Sequence, residues 1–115
     1  MKICRYRYKK SLGNQSRLGI LIDENTIVDP SYALAIEYER MGHYNPFEKA
    51  EYHLPSSLHH LLNLVEKPLE RLAEGLGMYE FLKILGVETS KNGTPYLFNL
   101  DGQEICLLSP IDKIP

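Results

Sequence analysis

Alternating apolar and basic positions mark the first segment of the chain as a strand. Over residues 2–9 every second side chain falls on the same side of an extended backbone. The apolar side carries Cys4, Tyr6 and Tyr8, and the basic side carries Arg5, Arg7 and Lys9. This pattern is typical of a half-buried strand whose basic side faces solvent or a partner.

Two further strands are predicted after a polar segment over residues 10–16. Residues 17–22 and 26–28 are apolar and rich in β-branched side chains. Between them, Asp23, Glu24 and Asn25 supply turn-forming side chains, so the two strands are expected to form a hairpin.

The middle of the chain carries helical signals. Asp29 is a strong N-cap, Pro30 fits the first helical position, and Gly42 is a natural stop. Residues 43–54 contain an Asn-Pro breaker and scattered aromatic side chains, which predicts an irregular insert.

Leucines at helical spacing predict more helix after Pro55 and after Lys67. In the second of these segments, Gly75 and Gly77 each cost about 1 kcal/mol in a helix interior, so a break is predicted there. Residues 78–85 resume the helical pattern, and Gly86 is the expected C-terminal glycine.

The last apolar runs, residues 95–100 and 103–108, flank Asp101-Gly102, which predicts a hairpin. The order of strands, helices and strands predicts an α+β fold: a small mixed domain with an N-terminal hairpin, a central helical segment and a C-terminal β-hairpin. We expect the domain to occupy residues 1–109. The proline-spaced residues 110–115 are interpreted as the start of a linker to a missing domain.

Composition is that of one ordinary globular domain. The 115 residues are 43% hydrophobic and 24% charged, with a net charge of −2, so the whole chain has no general attraction to polyanions. No apolar run approaches the roughly 20 residues that span a bilayer, and the start lacks the apolar region of a signal peptide. Free thiols in a reducing cytosol are the favoured state of Cys4 and Cys106, with a disulfide or a metal pair as the alternative.

Basic residues are concentrated near the N-terminus, where no acid precedes Asp23. Six of the 13 basic residues lie there: Lys2, Arg5, Arg7, Lys9, Lys10 and Arg17. Interleaved tyrosines allow a small RNA-binding domain as an alternative. A stacking platform needs aromatic rings and charges on one face, however, and the alternation separates them. A solvated or partner-facing strand is therefore favoured.

The histidines and paired carboxylates give weak signals for chemistry. His59 and His60 are adjacent on a predicted helix and diverge by about 100°, which is poor for shared ligation. His43 and His53 are expected in surface or capping roles, with a site completed by nearby carboxylates as the alternative. Glu37 and Glu39 diverge by about 200° on a helix, so we expect both to face solvent.

Several segments, in this order, resemble the N-terminal domain of the fumarylacetoacetate hydrolase family. The similar segments are the first strand at residues 1–6, residues 17–21, the strand end at 28–29, the Leu-Pro helix opening at 54–62 and the proline-rich junction at 105–111. The resemblance is diffuse over residues 30–53 and 86–100.

This resemblance implies that the chemistry belongs to a C-terminal catalytic domain of the same chain. In the family, a Glu-x-Glu pair and a later Asp hold Mg²⁺ or a similar cation for cleavage or related reactions of diketo and oxo acids. The pair Glu37/Glu39 lacks the family's context, so no role is transferred to it.

For this chain the resemblance implies an accessory, non-catalytic domain that packs on the catalytic domain. It also implies a homodimeric, cytoplasmic parent without a nucleic-acid or membrane partner. No catalytic, cofactor-binding or metal-binding residue is predicted here. The expected docking or steering face is Arg5, Arg7 and Lys9. A free-standing protein-interaction module is the alternative function.

Overall fold

The computed structural model describes residues 2–10, 16–64, 66–108 and 112–113. Within these ranges lie six strands and four helices. The strands are β1 (Lys2–Tyr8), β2 (Ser16–Leu21), β3 (Thr26–Val28), β4 (Leu97–Asn99), β5 (Ile105–Leu107) and β6 (Asp112–Lys113). The helices are α1 (Pro30–Arg40), α2 (Pro46–His53), α3 (Leu58–Leu64) and α4 (Pro68–Leu85). The predicted α+β class is confirmed.

The strands form one antiparallel, curled sheet in the order β4-β3-β2-β1-β5. β1 and β2 are the longest partners, paired from Lys2 opposite Leu21 to Arg7 opposite Ser16. The second edge of β1 is shared, because β5 pairs with its C-terminal half and β6 with its first two residues. The predicted hairpin of β2 and β3 is confirmed.

The predicted C-terminal hairpin is wrong in its pairing. A tight turn does form, with the Gly102 amide donating to the Asn99 carbonyl at 3.0 Å. β4 then pairs with β3, and β5 with β1, at opposite ends of the strand order. Aromatic packing accounts for this choice, since the Phe98 ring lies 5.2 Å from Tyr6 and 5.0 Å from Tyr8.

Residues 43–54 are largely helical, so the irregular insert predicted there is wrong. α2 begins at Pro46, after Asn45 in the left-handed conformation at φ 50°. Ala50 and Leu54 are fully buried, and α2 packs along α1. An eight-residue helix of this kind is stabilised by tertiary packing more than by its own propensity, which is why the local pattern missed it.

α4 is continuous through both glycines, so the break predicted at Gly75 and Gly77 is wrong. Gly75 is buried at a close approach to α1, where a Cβ atom would lie 2.5 Å from the Pro30 Cβ. The packing of the two helices therefore offsets the propensity cost. The predicted stop is confirmed, since Gly86 follows α4 with φ 76°.

Buried side chains form two clusters around the sheet. One includes Cys4, Tyr6, Tyr8, Ile27, Tyr32, Ile36, Tyr79, Leu82, Tyr96, Phe98 and Ile105. The other includes Ile3, Leu18, Ile20, Leu34, Ala35, Ala50, Leu54, Leu61 and Leu72. Because neighbouring residues of a strand point to opposite faces, β1 is buried on both faces at its start, and alternates as predicted only from Cys4 onward.

Some sequence predictions fall outside the described residues. Most of the polar segment at 10–16 and of the expected linker at 110–115 lies there, although the backbone of residues 112–113 pairs with β1. Within the described part of the chain, the helices are too short or too polar to cross a membrane.

Candidate functional site

The predicted docking face lies on one side of β1, as the alternation indicated. Arg5 and Lys9 are exposed and Arg7 is half-buried. The register places Arg5 opposite Leu18 and Arg7 opposite Ser16, so these side chains share one face of the sheet. The opposite face carries the buried rings of Tyr6 and Tyr8.

Arg7 carries an unusual polar atom. Its Nε is buried and has no hydrogen-bond partner among the described residues. A buried donor left without an acceptor costs about 1–3 kcal/mol, and more in a charged group. The Arg7 Nε is therefore a buried donor without an acceptor in the described part of the domain.

A groove of about 510 Å³ lies beside this face, between β1 and α3. Its lining is Ile3, Cys4, Arg5, Ser16, Ser56, Ser57, Leu58, His59, Leu62 and Asn63. No carboxylate is among these residues. Leu61 holds α3 in place from the core and is fully buried, whereas Leu62 next to it is 51% exposed. The groove thus combines polar side chains with an exposed apolar wall.

Arg17, which belongs to the N-terminal basic cluster of the sequence, does not lie on the basic face of β1. It pairs across the sheet with Tyr6, on the tyrosine side. Its Nε donates to Asp29 Oδ2 at 2.7 Å, and its guanidinium carbon lies 3.7 Å from the centre of the Tyr32 ring. The positive charge of Arg17 is therefore paired within the domain.

Asp29 is the centre of this buried network. It is fully buried and caps α1 by accepting from the Tyr32 backbone amide at 2.9 Å. The Tyr6 hydroxyl also donates to its carboxylate. Burial favours a lower pKa for Arg17, but the Asp29 carboxylate outweighs it, so the Arg17 pKa is raised. Burial first, and then Asp29, raises the pKa of Tyr6 well above its ordinary value.

Sequence reasoning identified Asp29 as a cap but missed its ion pair with Arg17. The two residues are 12 positions apart, in separate elements. The available signal for this pairing was the position of Arg17, which lies on the same side of its strand as Gly19 and Leu21. On that side its neighbour across the sheet is the buried Tyr6. Through these contacts Asp29 connects β1, β2 and α1. We therefore assign Asp29 a structural role.

The structure differs from the prediction that Glu37 and Glu39 both face solvent. Glu37 is buried, and its carboxylate accepts from Arg40 at 2.8 Å. Glu39 accepts from the Lys91 backbone amide at 2.8 Å. The two carboxylates are thus committed to different partners and do not converge on one point.

The histidines lie at the surface or at its margin. His43 stacks on Tyr38 with ring centres 4.8 Å apart, and His53 bonds Glu74 at 2.5 Å. His59 and His60 are both exposed on α3. Across the described ranges, no three His, Cys, Asp or Glu side chains are grouped as a metal-ligand set.

Both cysteines are free thiols, Cys4 buried and Cys106 exposed. Burial, and then Asp29, raises the pKa of Cys4 from 9.0 to about 11. Ionisation is thus harder in the folded state than in the unfolded state. The contribution of the neutral Cys4 thiol to the stability of the fold is therefore complete below about pH 9, and it is lost as the pH rises towards 11.

We therefore expect the free energy of unfolding to fall by about 3 kcal/mol across this interval from Cys4 alone. Urea midpoints measured along the pH range check this. Cys106→Ser keeps the dependence. Cys4→Ala removes the cysteine contribution and leaves the loss above about pH 10 from tyrosines whose pKa burial raises, such as Tyr6 and, to about 12, Tyr32. An unchanged slope in Cys4→Ala contradicts the assignment.

Comparisons of the chain with protein-family models, with curated proteins and with solved structures find no match.

Proposed function

We propose that the chain is the non-catalytic N-terminal domain of a larger, cytoplasmic enzyme that resembles the fumarylacetoacetate hydrolase family. Its role is to pack on the catalytic domain and to frame that domain's active-site opening. The single observation that supports this most is the basic face of β1, where the buried Nε of Arg7 has no acceptor among the described residues.

Charge distribution supports a docking role for that face. The chain has a net charge of −2, yet its first strand presents a compact positive area. Such an area attracts an acidic surface, and it also raises the local concentration of anionic dicarboxylates near an active site. Either effect suits a domain that assists the chemistry of oxo acids without performing it.

The pair Glu37 and Glu39 does not form a site for the cation implied by the resemblance. Glu37 is neutralised by Arg40, and Glu39 is turned towards the Lys91 amide. Under this proposal the Mg²⁺ ligands belong to the catalytic domain, and so does the homodimer contact of the parent. Bond cleavage involves no residue described here.

The test uses the complete polypeptide that the reading frame encodes. Replacing Arg5, Arg7 and Lys9 with glutamine should raise the KM for oxo-acid substrates several-fold or lower the thermal midpoint. Three partly exposed charge contacts together contribute about 1–3 kcal/mol. Steady-state kinetics and thermal melts measure the two effects.

The matched control removes three exposed charges elsewhere, with Lys67, Lys83 and Lys91 replaced by glutamine. We expect this variant to behave like the unaltered protein. If neither KM nor the melting temperature responds to the β1 variant, the docking face is discarded. A complete polypeptide without any oxo-acid turnover, or turnover by residues 1–115 alone, contradicts the proposed function itself.

A free-standing interaction module is the second candidate, and exposed apolar side chains favour it. Met41 is 61% exposed, and Phe81, Ile84 and Leu85 lie exposed near the end of α4. This function predicts a complete polypeptide without catalytic activity of its own. An RNA-binding domain is disfavoured, because Tyr6 and Tyr8 are buried on the face opposite the arginines.

A further inference from the structure

The outward side of α4 carries apolar residues where a surface helix normally carries polar ones. These exposed residues, which form the outer row of α4, are Leu69, Ala73, Gly77, Phe81, Ile84 and Leu85. Ile84 is 83% exposed. All but Ile84 follow one another at a spacing of four residues, so they form a continuous row about 24 Å long. An exposed apolar surface of this extent is typical of an interaction site.

The outer row is narrow in its middle. Ala73 and Gly77 lie between the larger side chains of Leu69 and Phe81, and no described atom lies within 4 Å of a Cβ placed on Gly77. A second helix can therefore come close to α4 at this point. Rows with a spacing of four residues also interdigitate with the same rows of another helix, in the commonest helix packing of globular proteins. The shape of the row thus favours a helical partner.

The charge beside the outer row is negative. Three exposed glutamates flank it: Glu70, Glu74 and Glu80. Over residues 72–82, α4 has no lysine or arginine. Arg40, whose guanidinium carbon lies 5.4 Å from the centre of the Phe81 ring, is paired with Glu37. A cationic partner is therefore favoured over an anionic one.

Glu80 is the glutamate most open to a partner. It makes no hydrogen bond or ion pair among the residues that the structure describes. Glu70 lies 4.0 Å from Lys67, with both side chains largely exposed, and Glu74 bonds His53. Exposed pairs of this kind contribute at most about 1 kcal/mol. Recognition by charge therefore depends mainly on Glu80.

A second copy of the chain is a poor match for the outer row. If two α4 helices cross antiparallel at Gly77, Glu74 of each copy lies opposite Glu80 of the other, because both are three residues from the crossing point. In a parallel two-fold pair, each glutamate faces its own equivalent. Like charges that meet at an interface are unfavourable. A partner with lysine or arginine beside its apolar row avoids this repulsion.

We propose that the outer row of α4 binds a basic amphipathic helix of another protein. Apolar side chains of that helix cover Phe81, Ile84 and Leu85, and a lysine or arginine pairs with Glu80. The inference is independent of the proposed function, since the docking face lies on β1 and the outer row on α4.

The experiment is a nuclear magnetic resonance titration of the 115-residue chain with a helical peptide. The peptide carries leucines at a spacing of three and four residues, flanked by lysines. One control peptide has the same composition in scrambled order, and a second has glutamate in place of each lysine. We expect shifts at the amides of residues 77–85, and binding at least about tenfold weaker for both controls.

Three variants of the chain locate the contacts. Ile84→Gln should weaken peptide binding about tenfold, and Glu80→Gln several-fold. Gly77→Ala should also weaken it several-fold while stabilising the helix, because the added Cβ keeps the partner away from the backbone. These positions are exposed, so the fold is retained. The matched controls Leu62→Gln and Glu48→Gln change exposed residues of other helices and should leave binding unchanged.

Several outcomes overturn the inference. Among them are absence of peptide binding and equal binding of the scrambled or the glutamate peptide. Sedimentation of the chain as a dimer that Ile84→Gln dissociates would identify a second copy as the occupant. Peptide binding by the 115-residue chain but not by the complete polypeptide would show that an adjoining domain covers the row. None of these results bears on the proposed function, which oxo-acid turnover tests separately.

Discussion

Replacing Asp29 with alanine is expected to lower the free energy of unfolding by about 3–5 kcal/mol, because the largely buried Arg17 guanidinium loses the carboxylate at 2.7 Å and keeps only that of Glu51 at 3.9 Å. The same change removes the cap of α1 and the acceptor of the Tyr6 hydroxyl. Small domains are stable by only about 5–15 kcal/mol, so a large part of the population should unfold at moderate temperature.

Urea denaturation followed by circular dichroism measures this loss. The matched control is Asp101→Ala, an exposed aspartate at a turn, which should change stability by no more than about 0.5 kcal/mol. Tyr6→Phe removes a buried hydroxyl that donates to the charged Asp29 carboxylate and should cost about 1.5–3 kcal/mol. If Asp29→Ala costs no more than Asp101→Ala, the central role of this carboxylate is refuted.

Two alanine substitutions in α4 should have opposite signs. Gly77→Ala should stabilise the protein by about 1 kcal/mol, because alanine is the better helix former and nothing lies within 4 Å of the new Cβ. Gly75→Ala brings the same propensity gain, but its Cβ would lie 2.5 Å from Pro30 Cβ and 2.9 Å from Leu54 Cδ2. Overpacking of this kind typically costs about 1–3 kcal/mol.

The first of these contacts decides the sign, because the Pro30 ring and backbone cannot move away as a flexible side chain can. Denaturant midpoints of the two single variants give the comparison directly. The double variant should be close to the sum, since only Gly75 contacts α1. Stabilisation by both alanines would show that α1 and α4 are less tightly packed than the structure indicates.

Prediction from the sequence succeeded where a short-range rule applied. The alternation of Cys4, Tyr6 and Tyr8 with Arg5 and Arg7 needs only the geometry of a strand. Likewise, the cap at Asp29 and the stop at Gly86 depend on the backbone of immediate neighbours. The same period placed Arg5 and Arg7 on one face of β1, the face that we propose for docking.

Prediction failed where two distant segments compete for one partner. The turn at Asp101-Gly102 formed, yet β4 and β5 joined opposite ends of the strand order, because Phe98 packs with Tyr6 and Tyr8. Glu37 had the spacing of a solvent-facing charge but became buried against Arg40. Helical propensity likewise gave no sign that Gly75 touches Pro30.

The sequence by itself determined the α+β class, the cap at Asp29, the stop at Gly86 and the alternation of β1 from Cys4 onward, since each depends on residues a few positions apart. Tertiary structure decided the pairing of Arg17 with Asp29, the continuity of α4 and the groove beside Arg5. The physical reason is that these features depend on packing between segments that are remote along the chain. Packing removes water from the charge of Arg17 and brings Gly75 against Pro30.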